Sequence, residues 1–115
     1  MVKGGKASGE ASNVDQKISE CVDAALKKLG KNAGESIYYY LEKDFNLKKF
    51  EMSKKPEIFE KALTKIFGEQ GAKTIEKLII IEIRNTFQLK RSFAFTFKEA
   101  VKVIKNSSIR IRNKH

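Results

Sequence analysis

The sequence GAKTIEKLIIIEIRNTF, which occupies residues 71–87, holds the clearest structural signal in this chain. Isoleucine favours strands as well as buried helices, but the apolar residues here recur every three or four positions over four turns, which predicts a helix. Those residues are Ala72, Ile75, Ile79, Ile83 and Phe87. Because the LIII run at residues 78–81 makes the centre apolar on nearly every side, we predict that this helix is the central, most buried element.

A similar period predicts two helices nearer the N-terminus. Apolar residues recur at helical spacing over residues 14–29. Gly30 is suited to end that helix, because glycine adopts the left-handed conformation without steric cost. Asn32 followed by Glu35 has the pattern of a capping box, and it predicts the start of a second helix with an apolar face over residues 37–45.

Two further helices are marked by residues typical of helix ends. Pro56 fits the first turn of a third helix, where the missing N–H group is no loss, and Gly68 is predicted to end it. Thr96 followed by Glu99 forms a second capping-box pattern, which opens a short last helix. Residues 46–55 form the longest connection between predicted helices.

These elements predict an all-α fold, a bundle of four to five helices built from two helical hairpins. Residues 25–30 are similar to residues 62–68, which is either a true duplication or two similar solutions to packing a hairpin. Alternating stretches at residues 92–96 and 108–112 give an alternative, a short β-ribbon around the last helix. We expect a flexible tail over residues 1–12, a single helical domain over residues 13–106 and a basic tail over residues 107–115.

Length and composition limit the class of protein. A chain of 115 residues with 41% hydrophobic residues is sufficient for one globular domain. Its longest apolar run is far shorter than the roughly 20 residues that span a bilayer. Residues 1–6 lack the apolar stretch of a signal peptide. We therefore expect a cytoplasmic protein without membrane insertion.

Residues that commonly carry catalysis are sparse. The single cysteine, Cys21, lies on the apolar face of the first helix, and the single histidine, His115, is the last residue. Carboxylate pairs such as Glu57 with Glu60, and Glu76 with Glu82, have the spacing of a solvated helix surface. We therefore predict no catalytic residue, no metal site and no cofactor, and we expect that the protein is not an enzyme.

Short sequence words in the middle of the chain carry a resemblance to a known family. They are Leu29-Gly30, residues 37–43, Lys55-Pro56-Glu57 with Phe59, Ile66-Phe67-Gly68, and residues 71–73 with 75–77. Through these words the chain resembles, over about residues 14–105, the fifth type of archaeal Nitrosopumilus output domain. The resemblance implies a small helical module of the kind often attached to sensory or receiver domains as the output end. It implies no catalytic residue and no ligand.

Basic residues are concentrated near the C-terminus. Residues 84–115 contain one acidic residue, Glu99, and nine basic residues: Arg84, Lys90, Arg91, Lys98, Lys102, Lys105, Arg110, Arg112 and Lys114. This segment therefore carries +8 of the formal net charge of +10, which predicts an anionic partner. The i, i+4, i+7 spacing of Lys98, Lys102 and Lys105 places them on one helix face. A solvated lysine face followed by a basic tail is the alternative.

Two aromatic segments are candidate contact sites. Residues 91–97 (RSFAFTF) resemble in part the base-stacking strand of RRM domains, but the upstream residues predict helices where that fold needs a strand. Core phenylalanines are favoured, with one exposed phenylalanine stacking on a base as the alternative. Tyr38, Tyr39 and Tyr40 cannot all face the same way on a helix, so at least one is exposed. They form either a partner interface or the rim of the core.

The sequence therefore predicts a non-catalytic regulatory or architectural module that binds nucleic acid through its basic C-terminal third, with duplex DNA as the expected ligand. Lys98, Lys102 and Lys105 would contact phosphates, and Arg110 and Arg112 would reach a groove. The alternative is a protein-interaction or homodimerisation module in signalling. In that case the tyrosine run is the interface and the basic tail binds an acidic protein.

Overall fold

Four helices make up most of the computed structural model, which describes residues 13–113 and their side chains as far as Asn106. They are α1 (Asn13–Lys27), α2 (Ala33–Phe45), α3 (Pro56–Phe87) and α4 (Phe97–Asn113), with a 3-10 turn at Lys49–Glu51 between α2 and α3. The predicted all-α fold is confirmed, and no strand occurs in the part of the chain that the structure describes. The predicted tail at residues 1–12 lies outside the described residues.

The alternative β-ribbon is wrong. Residues 92–96 form a turn and bends, and residues 108–112 lie inside α4. The physical reason is cooperativity: once the cap at Thr96 has nucleated a helix, each further residue extends it at little cost. The alternation of Ile109 and Ile111 is too short to compete. The boundary drawn between residues 106 and 107 therefore falls within a helix.

The core lies mainly between α1 and α3. α3 contacts each of the other three helices, in agreement with the central place predicted for residues 71–87, and α1 does so as well. The Leu78–Ile83 stretch is less completely buried than predicted, because Ile81 is 36% exposed. Fully buried side chains on the two helices include Ile18, Val22, Leu26, Phe59, Leu63, Ile79 and Ile83.

α3 bends sharply at Gly68, which the sequence predicted to be a helix end. Its φ of 80° and ψ of 171° lie outside the helical region, in a conformation that is essentially restricted to glycine. Glu60 and Glu76 lie on opposite sides of the bend and would be about 24 Å apart in a straight helix. Instead their carboxylates accept hydrogen bonds from adjacent backbone N–H groups, those of Lys98 at 2.9 Å and Phe97 at 3.1 Å. The two halves of α3 therefore converge on the start of α4.

The two predicted capping boxes have different outcomes. At α4, the Glu99 N–H donates to Thr96 Oγ1 at 3.1 Å, and the Glu99 carboxylate accepts the N–H of Phe95 at 2.8 Å. The Thr96 half of this box is confirmed, whereas Glu99 accepts the N–H of the residue before the N-cap and not that of Thr96 itself. Asn32 precedes α2 but makes no side-chain cap hydrogen bond, because its backbone is already helical, with φ −91° and ψ −10°. A capping side chain needs the extended backbone that orients it towards the first turn.

Candidate nucleic-acid interface

The lysines predicted to contact phosphates lie along one side of α4. The opposite side of α4 is buried against α1 and α3 through Phe97, Ala100, Val101 and Ile104. This amphipathic division follows from the helical period of the sequence. The surroundings of Lys98, Lys102 and Lys105 differ, however, and these differences decide which lysine can bind a ligand.

Lys105 is a structural residue. Its Nζ lies 3.1 Å from Asp15 Oδ1 and donates to the backbone oxygen of Ser53 at 3.0 Å. The Ser53 hydroxyl donates to the same Asp15 oxygen at 2.5 Å, and Asp15 is only 5% exposed. A nearly buried carboxylate needs a charge partner. Lys105 therefore serves the fold by joining the start of α1 and the 46–55 connection to α4.

Lys98 has an exposed ion pair with Glu57, the second residue of α3. Hydrogen bonding to Glu57 and its negative charge raise the pKa of the Lys98 ammonium, and the same pair lowers the pKa of the Glu57 carboxyl. Exposed pairs of this kind contribute little to stability, because water and salt screen them. Lys98 is therefore not fixed by the fold as Lys105 is.

Lys102 lies between these two fixed points. α4 rises about 10.5 Å from Lys98 to Lys105, and the two lysines contact Glu57 and Ser53 respectively. Residues 53–57 therefore run alongside this side of α4, in the opposite direction. Lys54 and Lys55 lie in that segment and are exposed, as is Lys102. We call Lys54, Lys55, Lys98 and Lys102 the composite basic surface.

Sequence reasoning missed half of this surface. Lys54 and Lys55 belong to the nearly neutral first part of the chain and are more than 40 residues from Lys98. A local signal was present, since the connection over residues 46–55 contains four lysines and one glutamate. It became informative only when the contact between α4 and residues 53–57 was known.

The other predicted basic residues are less closely grouped. Lys90 and Arg91 are exposed in the loop between α3 and α4, and Arg84 is partly buried near the end of α3. Arg110 and Arg112 lie in the last turns of α4, but their side chains are outside the described residues, as is Lys114. Among the described side chains, the composite basic surface is therefore the best-defined part of the predicted site.

A pair of carboxyl groups lies at the start of α4. The sequence interpretation that Glu76 and Glu82 form a solvated surface pair is wrong, because Glu76 meets Glu60 at the bend of α3. Glu82 instead contacts Lys28, at 2.6 Å. Burial raises the pKa of Glu76 to about 7; the hydrogen bond to Glu60 and the charge of Glu60 add to this, while the N–H of Phe97 opposes it. The pair therefore favours one shared proton near neutral pH.

This pair predicts a pH-dependent stability. The folded chain binds the proton of Glu76 more tightly than the unfolded chain does, so this proton stabilises the fold. Its contribution to the free energy of unfolding is complete below the usual pKa of 4.5 and is lost as the pH rises to about 7. A glutamine side chain in this place would retain both hydrogen bonds without titrating. We expect Glu76→Gln to be more stable than the wild type at pH 8 and nearly equal at pH 4.5, as measured by urea unfolding.

Glu82→Gln is the matched control on the same half of α3, since Glu82 faces Lys28 rather than a second carboxylate. It should show no gain in stability at pH 8. A difference between Glu76→Gln and the wild type that stays constant from pH 4.5 to pH 8 would contradict the shared proton.

The tyrosine run divides between core and surface, so the prediction of at least one exposed tyrosine is confirmed. Tyr38 is half-buried and donates its hydroxyl hydrogen bond to Asp23 Oδ1 at 3.2 Å. Burial raises the pKa of Tyr38, and the adjacent Asp23 adds to the effect. Tyr39 and Tyr40 are 59% and 43% exposed and meet edge to face. Tyr40 also lines a shallow groove with Phe45 and residues 65–66 of α3.

The remaining candidate chemistry is limited. Cys21 is buried; burial raises the pKa of its thiol, against the opposing effect of a hydrogen bond with Thr86, so the thiol is poorly reactive. Among residues 13–113 no three ligating side chains converge into a possible metal site. In the same part of the chain, no helix has the length and apolar character required to cross a membrane.

Comparison with family models, with curated proteins and with solved structures finds no match to this chain. The resemblance to the archaeal output domains, carried by words such as residues 37–43 and 55–59, therefore stays a prediction.

Proposed function

We propose that this protein is a non-catalytic regulatory or architectural module that binds nucleic acid through the composite basic surface. The observation that carries the proposal is the exposure of Lys102 and Lys55 where residues 53–57 run alongside α4. Asp15 is neutralised by Lys105 and Glu57 by Lys98. Lys102 and Lys55 remain exposed beside these pairs, and Glu51 offsets part of the charge of Lys55. The remaining positive charge on this side of α4 is what phosphates would neutralise.

Further basic residues flank this surface in sequence on both sides. Lys90 and Arg91 precede α4, and Arg110, Arg112 and Lys114 follow the described lysines in sequence. A surface of this kind binds phosphate groups by releasing counterions and does not depend on base sequence. We propose duplex DNA as the first ligand to test, in the cytoplasm of an archaeal cell. The scaffold would be two helical hairpins, with the bend at Gly68 as the second turn.

Charge reversal tests this proposal. The double variant K55E/K102E should weaken binding to a fluorescent duplex, measured by anisotropy over a salt series. If about five phosphates are neutralised, the logarithm of the affinity should fall with the logarithm of salt concentration at a slope of about −4 to −5. Each lost phosphate contact should decrease the magnitude of that slope by about one. The slope of the double variant should therefore be shallower by about two.

The matched control is K27E/K31E, which makes the same change of charge at the last residue of α1 and in the turn that follows it. Asp15, at the start of α1, lies next to the composite basic surface. Lys27 is about 18 Å further along the helix. An equal loss of binding in both double variants would show that only the net charge matters. Failure of the wild-type protein to bind DNA at low salt would refute the proposal.

A protein-interaction module is the second candidate, favoured by the exposure of Tyr39 and Tyr40 beside the groove that contains Phe45. Such a module would form a homodimer through the tyrosines, or bind an acidic protein through the basic residues, as the output part of a signalling system. Truncation after Asn106 separates the candidates in gel shifts and size-exclusion runs. Weaker DNA binding after truncation supports the nucleic-acid-binding module. A dimer that does not bind DNA and is unchanged by truncation supports the protein-interaction module.

A further inference from the structure

Phe95 is the most exposed large apolar residue among the described side chains, at 79%. It precedes the N-cap residue Thr96, a position where an apolar side chain often packs against the first turns of its helix. Phe95 does not pack there, whereas Phe93 is partly buried and Phe97 is fully buried. Of the three phenylalanines at residues 93–97, two therefore pack on the core and the third, Phe95, is exposed to solvent.

The backbone that carries Phe95 has a defined position. Its N–H donates to Glu99 Oε1 at 2.8 Å, and the Glu99 N–H donates to Thr96 Oγ1 at 3.1 Å. Phe97, two residues later, packs edge to face on Phe59 with ring centroids 4.8 Å apart. Little backbone entropy is therefore left to lose when the Phe95 ring contacts a ligand.

Positive charge lies on both sides of Phe95. Lys90 and Arg91 are exposed in the same loop, which contains no acidic residue over positions 88–96. The Cα atoms of Arg91 and Phe95 are at most about 14 Å apart. Lys102 follows the start of α4 by about 7.5 Å of helix rise. Three carboxylates lie at this end of α4: Glu99 accepts the N–H of Phe95, Glu76 that of Phe97 and Glu60 that of Lys98. Their charge is partly offset by these N–H groups and by the positive end of α4.

From this arrangement we infer that Phe95 stacks on a nucleobase, and that the ligand of the basic surface is nucleic acid with unpaired bases. The inference rests on the proposed function and narrows its ligand. A positively charged track with an exposed aromatic ring is the usual means of binding single strands. The rings of bases inside a duplex are covered by their neighbours, so Phe95 could not reach them without unstacking. This geometry favours single strands over the duplex expected from the sequence.

Anisotropy titrations of the full chain test the inference with three probes. They are an oligothymidylate of about 15 nucleotides, within the site sizes known for single-strand binders, a duplex of the same length, and heparin, a polyanion without bases. Phe95→Ala should lower affinity for the oligothymidylate by about 5- to 100-fold, the range for loss of one stacked base. Affinity for heparin should change by less than about twofold, because the charges are unaltered.

Two further variants separate stacking from other effects. Phe95→Tyr retains an aromatic face and should bind the oligothymidylate nearly as tightly as the wild type. Phe67→Ala removes a ring that is 38% exposed at the bend of α3 and should leave the affinity for the oligothymidylate unchanged.

The outcomes distinguish the inference from the proposed function. Equal binding of oligothymidylate by Phe95→Ala and the wild type overturns the inference, as does tighter wild-type binding to the duplex than to the single strand. Both results leave the proposed function intact, provided that the wild type binds one of the two DNA probes. Failure to bind any of the three probes at low salt overturns the inference and the proposed function together.

Discussion

Replacement of Lys105 by methionine is expected to lower the free energy of unfolding by about 3 kcal/mol. The change keeps much of the side-chain length but removes the charge that lies 3.1 Å from Asp15 Oδ1. Asp15 would then remain as a carboxylate that is only 5% exposed and has lost the ammonium charge of Lys105. Loss of one member of a buried ion pair costs more than the pair contributes, because the remaining charge stays desolvated.

Urea unfolding followed by circular dichroism measures this effect. Lys102→Met is the matched control, because it makes the same substitution one turn away at an exposed position and should change stability by less than about 0.5 kcal/mol. Combining Lys105→Met with Asp15→Asn should recover part of the loss, since the buried carboxylate charge that Lys105 offset is then removed as well. Equal stabilities of Lys105→Met and Lys102→Met would show that Lys105 is not a structural residue.

Replacement of Phe97 by alanine is expected to cost about 4 kcal/mol. Phe97 is completely buried and is the first residue of α4. Its ring packs on Phe59 of α3 with centroids 4.8 Å apart. The substitution leaves a cavity where α4 joins the two halves of α3, and the surrounding helices can fill it only in part. Loss of the edge-to-face contact between the rings adds to the cost.

The control for Phe97→Ala lies two residues earlier. Phe95→Ala removes the same ring from a position that is 79% exposed and should change stability by less than about 0.5 kcal/mol. Thermal unfolding of the two variants compares them directly. If Phe95→Ala destabilises the protein as much as Phe97→Ala, the Phe95 ring is part of the core and is not presented to a ligand.

The four variants also separate stability from binding. Substitution of Lys102 or Phe95 should weaken ligand binding with little change in stability. Substitution of Lys105 or Phe97 should mainly lower the stability of the fold. The two members of each pair have similar sequence contexts, since Lys102 and Lys105 lie on one face of α4 and Phe95 and Phe97 lie in one short segment. Only their tertiary contacts differ.

Much of the local structure could be predicted because it depends on residues near one another in sequence. The helical period of Ala72, Ile75, Ile79 and Ile83 predicted the second half of α3. The pattern of Thr96 followed by Glu99 predicted the start of α4. Asn32 shows the limit of such patterns, because a capping residue also needs an extended backbone, and the turn before α2 does not provide one. The alternative ribbon failed since a helix, once nucleated, continued through residues 108–112.

The candidate site could be predicted only in part. Its net charge is a property of composition, and the exposure of Lys102, Lys90 and Arg91 agrees with the predicted basic face. The pairing of Lys105 with Asp15 joins residues about 90 positions apart, and no local period contains that information. The meeting of Glu60 with Glu76 depends in turn on the bend at Gly68.

The sequence by itself determined that the chain is helical, where most of the helices begin and end, and that its C-terminal third is strongly basic. Only the tertiary structure decided which lysines neutralise internal carboxylates, which join Lys54 and Lys55 in one surface, and which phenylalanine faces solvent. The physical reason is that helix formation depends on neighbouring residues, whereas the pairing and burial of a charge or a ring depend on distances between residues far apart in the chain.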